Sequence, residues 1–205
     1  MTVIKICGIR RYEDIDILNQ LRPDYAGFVF AKSPKKISDD LALSLRERIL
    51  PSIKTVGVFV NEDLKRIVKL CQSQTIDMVQ LHGDEDENYI KTLRTILPNK
   101  IIKAIRVKSK EIIKEAINYQ SDYLLLDSHS DNKYGGSGRV FDWSLIDKLE
   151  KPFFLAGGLD CDNVQEAIRS CKPYGVDVSS GVETDGYKDP DKVREFIRKI
   201  RGARG

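Results

Sequence analysis

A chain of 205 residues, 41% hydrophobic and 32% charged, carries enough apolar material for a substantial core and has the composition of a soluble globular protein. Its net charge is only +3 with both signs interleaved, which argues against a nucleic-acid binder and its basic stripe. No stretch approaches the ~20 apolar residues of a membrane span, and the N-terminus enters a strand without a signal-peptide pattern, so a cytoplasmic protein with no membrane partner is expected.

In chain order, apolar runs that read as strands are Val3 to Cys7, Tyr25 to Phe30, Thr55 to Val60, Met78 to His82, Ile101 to Arg106, Tyr123 to Asp127, Phe153 to Ala156 and Gly175 to Ser179. Several are nearly continuous in apolar residues, as parallel strands buried on both faces require. Between them lie helical periodicities. Ser38 to Ile49 opens with Ser-Asp-Asp and places Leu41, Leu45 and Ile49 on one stripe. Leu64, Ile67, Val68 and Cys71 follow the i, i+3, i+4, i+7 rule after a cap expected at Asn61, and Val164, Ala167, Ile168 and Cys171 repeat it. Val193, Phe196, Ile197 and Ile200 do so again behind Asp189-Pro190, a cap and first-turn pair. Further helices are expected near Tyr12, Glu87, Lys110 and Asp142. Eight strand–helix units of about 25 residues predict an α/β fold, a single-domain (β/α)₈ barrel over residues 1–205. An open doubly wound sheet is disfavoured because no first turn carries the dinucleotide glycine pattern. The longest irregular stretch, Ser128 to Val140, has the length of a functional loop.

Barrel enzymes keep their chemistry at the C-terminal ends of the strands. Strand alternation puts Lys5 and Cys7 on one face of the first strand and the apolar Ile4 and Ile6 on the other, so Lys5 and Cys7 should point into the barrel. A neighbouring ammonium lowers a thiol's pKa, so a thiolate is expected at Cys7. Asp127 ends a Leu-Leu-Leu run, whose apolar character favours a neutral carboxyl. Gln80 with His82, and Asp177 with Ser179, share inward faces in the fourth and eighth strands. Gly157-Gly158 and Ser179-Ser180-Gly181 follow strands seven and eight, the usual place of a barrel phosphate site. Cys71 and Cys171 lie on helix stripes and read as core thiols; with Cys161 they show neither metal spacing nor a disulfide framework. The chain has two histidines, and His82 reads as a positioning residue; no metal is expected.

Lys5-Ile6-Cys7-Gly8, Gly27-Phe28-Val29-Phe30, Ser33-Pro34-Lys35, Gly57-Val58-Phe59-Val60-Asn61, Gln80-Leu81-His82-Gly83, Leu126-Asp127, Gly135-Gly136-Ser137-Gly138, Ala156-Gly157-Gly158-Leu159 and Asp177 to Glu183 follow one another in an order that resembles the phosphoribosylanthranilate isomerase family of tryptophan biosynthesis. The resemblance covers the whole chain. It implies an Amadori rearrangement of N-(5-phosphoribosyl)anthranilate to 1-(2-carboxyphenylamino)-1-deoxyribulose 5-phosphate, without cofactor or metal. It implies that Asp127 is the general acid and Cys7 the general base, and that Gly157, Gly158, Ser179 and Ser180 hold the phosphate. It places Asp177 near the amino linkage, Lys35, Gln80 and His82 against substrate, and Gly135 to Gly138 in a loop over the site. Where the family has Ser-Pro-Arg, this chain has Lys35, which keeps the charge but loses the planar two-pronged match to a carboxylate; Lys36 stands beside it as a second cation. The competing readings are another phosphate-binding barrel enzyme, such as a sugar-phosphate epimerase, and a non-catalytic phosphate binder. Monomer and homodimer are both open.

Overall fold

The computed structural model describes residues 1–128 and 141–202. Eight parallel strands close in the order β1 to β8: β1 (Val3–Cys7), β2 (Tyr25–Val29), β3 (Lys54–Phe59), β4 (Met78–Leu81), β5 (Lys100–Val107), β6 (Tyr123–Ser128), β7 (Phe153–Leu155) and β8 (Gly175–Val178). The helices are α1 (Tyr12–Leu21), α2 (Asp39–Arg48), α3 (Leu64–Gln72), α4 (Glu87–Ile96), α5 (Lys110–Ala116), α6 (Val164–Cys171) and α7 (Pro190–Arg201). This is the expected (β/α)₈ barrel. Among the described residues, no helix is long and apolar enough to cross a membrane.

Two local expectations are corrected. The helix near Asp142 is a single 3₁₀ turn, Trp143–Leu145, which Asp142 caps by accepting the Ser144 N–H at 2.9 Å. Pro152 biases Lys151 away from helical backbone, which shortens the room for a helix before β7. The cap of α3 is Asp63, whose carboxylate accepts the Lys65 N–H at 2.7 Å, and not Asn61. Asn61 instead takes a left-handed backbone (φ 49°) and accepts the Asp84 N–H at 2.8 Å, tying the end of β3 to the loop after β4. Asparagine tolerates that conformation better than most residues. The Asp189–Pro190 start of α7 is as expected, with Asp189 accepting from the Asp191 and Lys192 N–H groups.

A repeat at the N-terminal face aligns the strands in pairs. Asp24, Asp77 and Asp122 each immediately precede an even-numbered strand, and each carboxylate accepts a backbone N–H of the preceding odd-numbered strand. The N–H groups are those of Ile4, Thr55 and Ile101, all at 2.8 Å. Charged acceptors make stronger hydrogen bonds than neutral ones, so these aspartates pin β1 to β2, β3 to β4 and β5 to β6.

Side-chain alternation divides the apolar residues into two cores. The larger lies between strands and helices and includes Ile4, Ile6, Phe28, Phe59, Leu124, Leu126 and Phe196. The smaller fills the barrel with Val56, Met78, Ile102, Ala104, Leu125, Phe154 and Ala156. Below it, Tyr25, Tyr123 and Tyr174 pack edge-on or tilted about Phe154 and one another. The apolar plug is deep and the polar inward residues lie above it, so water-accessible chemistry is confined to the C-terminal mouth.

That mouth is braced from outside by a buried ion pair. Lys103 of β5 donates to Glu85 at 2.8 Å and to the Gly83 carbonyl at 2.8 Å, while Glu85 accepts the Asn61 and Gly83 N–H groups. Both side chains are almost fully buried, 3% and 1% exposed. Removing one partner leaves the other charge stranded without solvent. Lys103→Met should therefore cost about 3–5 kcal/mol of unfolding free energy, measured by urea denaturation; a loss below about 1 kcal/mol would show that water reaches Glu85.

Candidate active site

A cavity of about 360 Å³ opens at the C-terminal end of the barrel, and Cys7, Gln80, His82, Asp127 and Asp177 all line it. Lys35, Gly157, Gly158, Ser179 and Ser180 complete the set expected from the sequence, and all of them border the same space. The stretch Gly135 to Gly138 lies outside the described residues. A shallower depression at the opposite face, bordered by Met1, Thr2, Lys172 and Tyr174, holds no carboxyl or thiol group.

Lys5 points inward, as alternation requires, and is fully buried. Its Nζ lies 2.9 Å from Asp177 Oδ1, and the two residues are register partners across the β1–β8 seam. Cys7 sits one inward position higher and is 8% exposed. Here the sequence expectation is corrected. Burial pushes the Cys7 thiol above its ordinary value; Lys5 and Lys188 pull it down and Asp177 pushes it up, with a net rise. The ammonium predicted to make a thiolate is already paired with a carboxylate. Burial also raises the Asp177 carboxyl, against the pull of Lys5.

Asp127 is 6% exposed and faces the cavity from the end of β6. Leu125 shares its inward face and is buried in the barrel core, whereas Leu124 and Leu126 turn outward into the helix-facing core. Its Oδ1 accepts the Ser128 N–H at 2.8 Å, and its Oδ2 lies 3.2 Å from His82 Nε2. The other ring nitrogen of His82, Nδ1, meets Gln80 Nε2 at 2.8 Å.

The glycine turns are sterically required. Gly157 and Gly158 have φ of 81° and 67°. A Cβ on Gly157 would lie 2.5 Å from the Ser128 nitrogen and 2.7 Å from Asp127 Oδ1, so only glycine lets the end of β7 lie against that of β6. The Ser179 hydroxyl donates to the Cys7 carbonyl at 2.9 Å and accepts from Lys35 Nζ at 2.7 Å. Lys35 also pairs with Glu183 at 2.8 Å, which holds it against the loop after β8.

Sequence reasoning missed Glu183 and Lys188 as partners. Beyond a 3₁₀ turn (Ser180–Val182), β9 (Glu183–Thr184) and β10 (Tyr187–Lys188) form a hairpin. Lys188, 3% exposed, donates to the Ser179 carbonyl at 3.0 Å and to Glu183 at 2.5 Å. Burial lowers its pKa against the pull of Glu183. The available signal was Asp185-Gly186, a strong two-residue hairpin turn, both residues at positive φ (51° and 78°).

Fold and site together define a class: a (β/α)₈ barrel with a thiol and a carboxyl facing one cavity at its C-terminal mouth, beside glycine and serine turns. Comparison with known proteins narrows it. Residues 4–199 match the family model described as N-(5'phosphoribosyl)anthranilate (PRA) isomerase. An N-(5'-phosphoribosyl)anthranilate isomerase of Endomicrobium trichonymphae is 48% identical, over 98% of this chain and 99% of its own length. The crystal structure of phosphoribosyl anthranilate isomerase from Thermus thermophilus superposes with a TM-score of 0.89 at 28% identity, covering 99% of this chain and all of that one. A phosphoribosyl anthranilate isomerase crystallised with reduced 1-(o-carboxyphenylamino)-1-deoxyribulose 5-phosphate gives a TM-score of 0.85 at 35% identity, over 98% of this chain and 100% of that one. The chain belongs to the N-(5'-phosphoribosyl)anthranilate isomerase family. Its activity is the isomerisation of that aminoaldose to the aminoketose, a step of tryptophan biosynthesis.

The raised thiol has a direct consequence. A thiol whose pKa is raised above its ordinary value stays protonated at neutral pH and ionises only as pH climbs through the higher value. Alkylation of Cys7 by iodoacetamide in the unliganded protein, followed by mass spectrometry, should therefore be slow at pH 7 and rise at higher pH than for an exposed thiol. Rapid labelling already at pH 7 would show that Lys5 prevails over burial.

Proposed function

We propose that Asp127 is the general acid and Cys7 the general base of the rearrangement. The observation that carries this is their placement: the two groups enter one cavity from β1 and β6, while the other carboxylates that line it, Asp177 and Glu183, are paired with Lys5 and Lys35. The furanose C1′–O bond breaks with its electron pair going to oxygen, which takes the Asp127 proton. The anilino nitrogen lone pair forms the C=N⁺ bond of the Schiff base. Cys7, as thiolate, removes the C2′ proton, and that electron pair becomes the C1′=C2′ bond of the enolamine, restoring the nitrogen lone pair. Gain of a proton at C1′ and loss of one from the C2′ hydroxyl give the ketone. An acid and a base must hold opposite protonation states at one pH, so separate environments on separate strands suit the task.

Gly157, Gly158 and Ser180 offer the phosphate a small-residue rim on the β7–β8 side, and Ser179 contributes through the loop that it anchors to Cys7. Lys32 and Lys35 border the same cavity, and Lys35, beside Ser179, leaves Glu183 to meet a substrate anion. Asp177 faces the amino linkage and keeps the Lys5 charge beside the thiol. The substrate is a phosphorylated small molecule, and the working compartment is the cytoplasm, which suits four free cysteines.

Cys7→Ala and Asp127→Asn should each lower kcat by about 10²–10⁴-fold with the circular dichroism spectrum kept, followed by the fluorescence of phosphoribosylanthranilate. Wild-type kcat/KM should rise with pH from neutrality as Cys7 ionises. Near-wild-type turnover in either variant would remove that residue's role, and tight phosphate binding by a wild-type protein with no turnover would favour a non-catalytic binder.

A further inference from the structure

His82 and Gln80 line the cavity, and a substrate-binding role is the first expectation for both. The hydrogen bonding points elsewhere. Imidazole has two ring nitrogens, and here each meets a protein group: Nδ1 meets Gln80 at 2.8 Å and Nε2 meets Asp127 at 3.2 Å. Neither is left over for substrate. With the Gln80 NH₂ nitrogen, a donor only, placed at Nδ1, Nδ1 is assigned as the acceptor and the ring hydrogen is assigned to Nε2, facing Asp127 Oδ2. Gln80 Oε1 is buried without a hydrogen-bond partner among the described residues. An unpaired buried carbonyl is costly, and it is tolerated here while the amide presents nitrogen to His82.

The backbone under His82 is held with equal care. Its N–H donates to the Phe59 carbonyl at 2.8 Å. The next residue, Gly83, is gripped on both sides, its N–H by Glu85 at 2.9 Å and its carbonyl by Lys103 at 2.8 Å. A Cβ on Gly83 would lie 2.5 Å from Asn61 Oδ1, so the loop is packed too closely to drift. The buried ion pair outside the barrel thus fixes the chain that carries the imidazole.

We propose that His82, oriented by Gln80, is a positioning residue that acts through Asp127: it aims the carboxyl and stabilises the anion left when Asp127 gives up its proton. With the Ser128 N–H on Oδ1 and the His82 Nε2–H on Oδ2, both carboxylate oxygens have a donor waiting as the charge forms. Hydrogen bonds to an ionised acceptor are about twice as strong as neutral ones. The contact therefore gains strength in the transition state of proton transfer, which is the kind of interaction that raises kcat without changing substrate affinity. This inference rests on Asp127 being the acid.

The test is a double-mutant cycle with His82→Ala, Asp127→Asn and the pair, read in kcat and KM separately. On this proposal His82→Ala lowers kcat by about 10–100-fold, the loss of one hydrogen bond to a charged group, with KM within about three-fold of wild type. In the Asp127→Asn background the same change adds less than about three-fold, because residues that act as a unit are not additive. A rise in KM with kcat preserved, or a full multiplicative loss on top of Asp127→Asn, would overturn it in favour of direct substrate contact. Asp127→Asn alone with near-wild-type kcat would instead overturn the assignment of the acid, so the two failures are distinct. Gln80→Met keeps the imidazole and removes its Nδ1 partner. If His82→Ala does not fold, this variant decides: a fall in kcat at steady KM supports the proposal, and unchanged kcat refutes it.

Discussion

The barrel closes on a salt bridge. Lys5 and Asp177 are register partners on the first and last strands, and their side chains meet at 2.9 Å inside the barrel with almost no exposure. A buried ion pair adds little net stability over an apolar pair, since the desolvation of both ions offsets most of their attraction. What it does enforce is register. Sliding β8 by one residue along β1 would turn Asp177 to the helix side and leave Lys5 uncompensated in an apolar interior. The inward stations above this pair, Cys7 on one strand and Ser179 just past the other, take their places from it.

The same pair sets the electrostatics of the mouth. Lys5 is shared between Asp177 beside it and Cys7 above, so its charge offsets only part of the cost of burying a thiolate, and the thiol stays above its ordinary value. A buried, neutral thiol is protected from adventitious oxidation, because reactivity follows the thiolate. In the proposed role as general base, Cys7 would act through a small ionised fraction held beside a fixed cation. Across the cavity Asp127 Oδ1 accepts the Ser128 N–H and Oδ2 lies against His82 Nε2. The two groups proposed to carry the rearrangement thus have different neighbours on different strands.

The loops that complete the site are tied down by charges rather than by apolar packing. Lys103 and Glu85 clamp the turns after β3 and β4. Glu183 gathers Lys35 and Lys188, both of which also bond Ser179, and Ser179 in turn holds the Cys7 carbonyl. Arg10 spans from the Pro34 carbonyl to Gly186 at the hairpin tip, joining the loops after β1, β2 and β8. Loops carry function on a rigid frame only if something limits their motion; buried ammonium groups donating to backbone carbonyls do so here.

Much of this was legible in the chain. Strand alternation by itself assigns Lys5, Cys7, Asp127 and Asp177 to the interior, because a two-residue period admits only two faces, and helical spacing marks the buried stripe of α7. The ordered motifs are enough to reveal the family. Other features escaped because they depend on partners remote in sequence. Asn61 and Asp63 are both able to cap a helix, and only the contact with Asp84 decides between them. The helix expected near Asp142 needed space that the approach to β7 does not leave. Lys5 beside Cys7 reads as an activating cation until the closing strand brings Asp177 against it, and the positioning role read for His82 has no object until β6 places Asp127 beside its Nε2. Periodicity is a property of neighbouring residues and survives in a one-dimensional record. The partner of a buried charge is chosen by barrel closure, across 172 residues for Lys5 and Asp177, and that choice exists only in three dimensions.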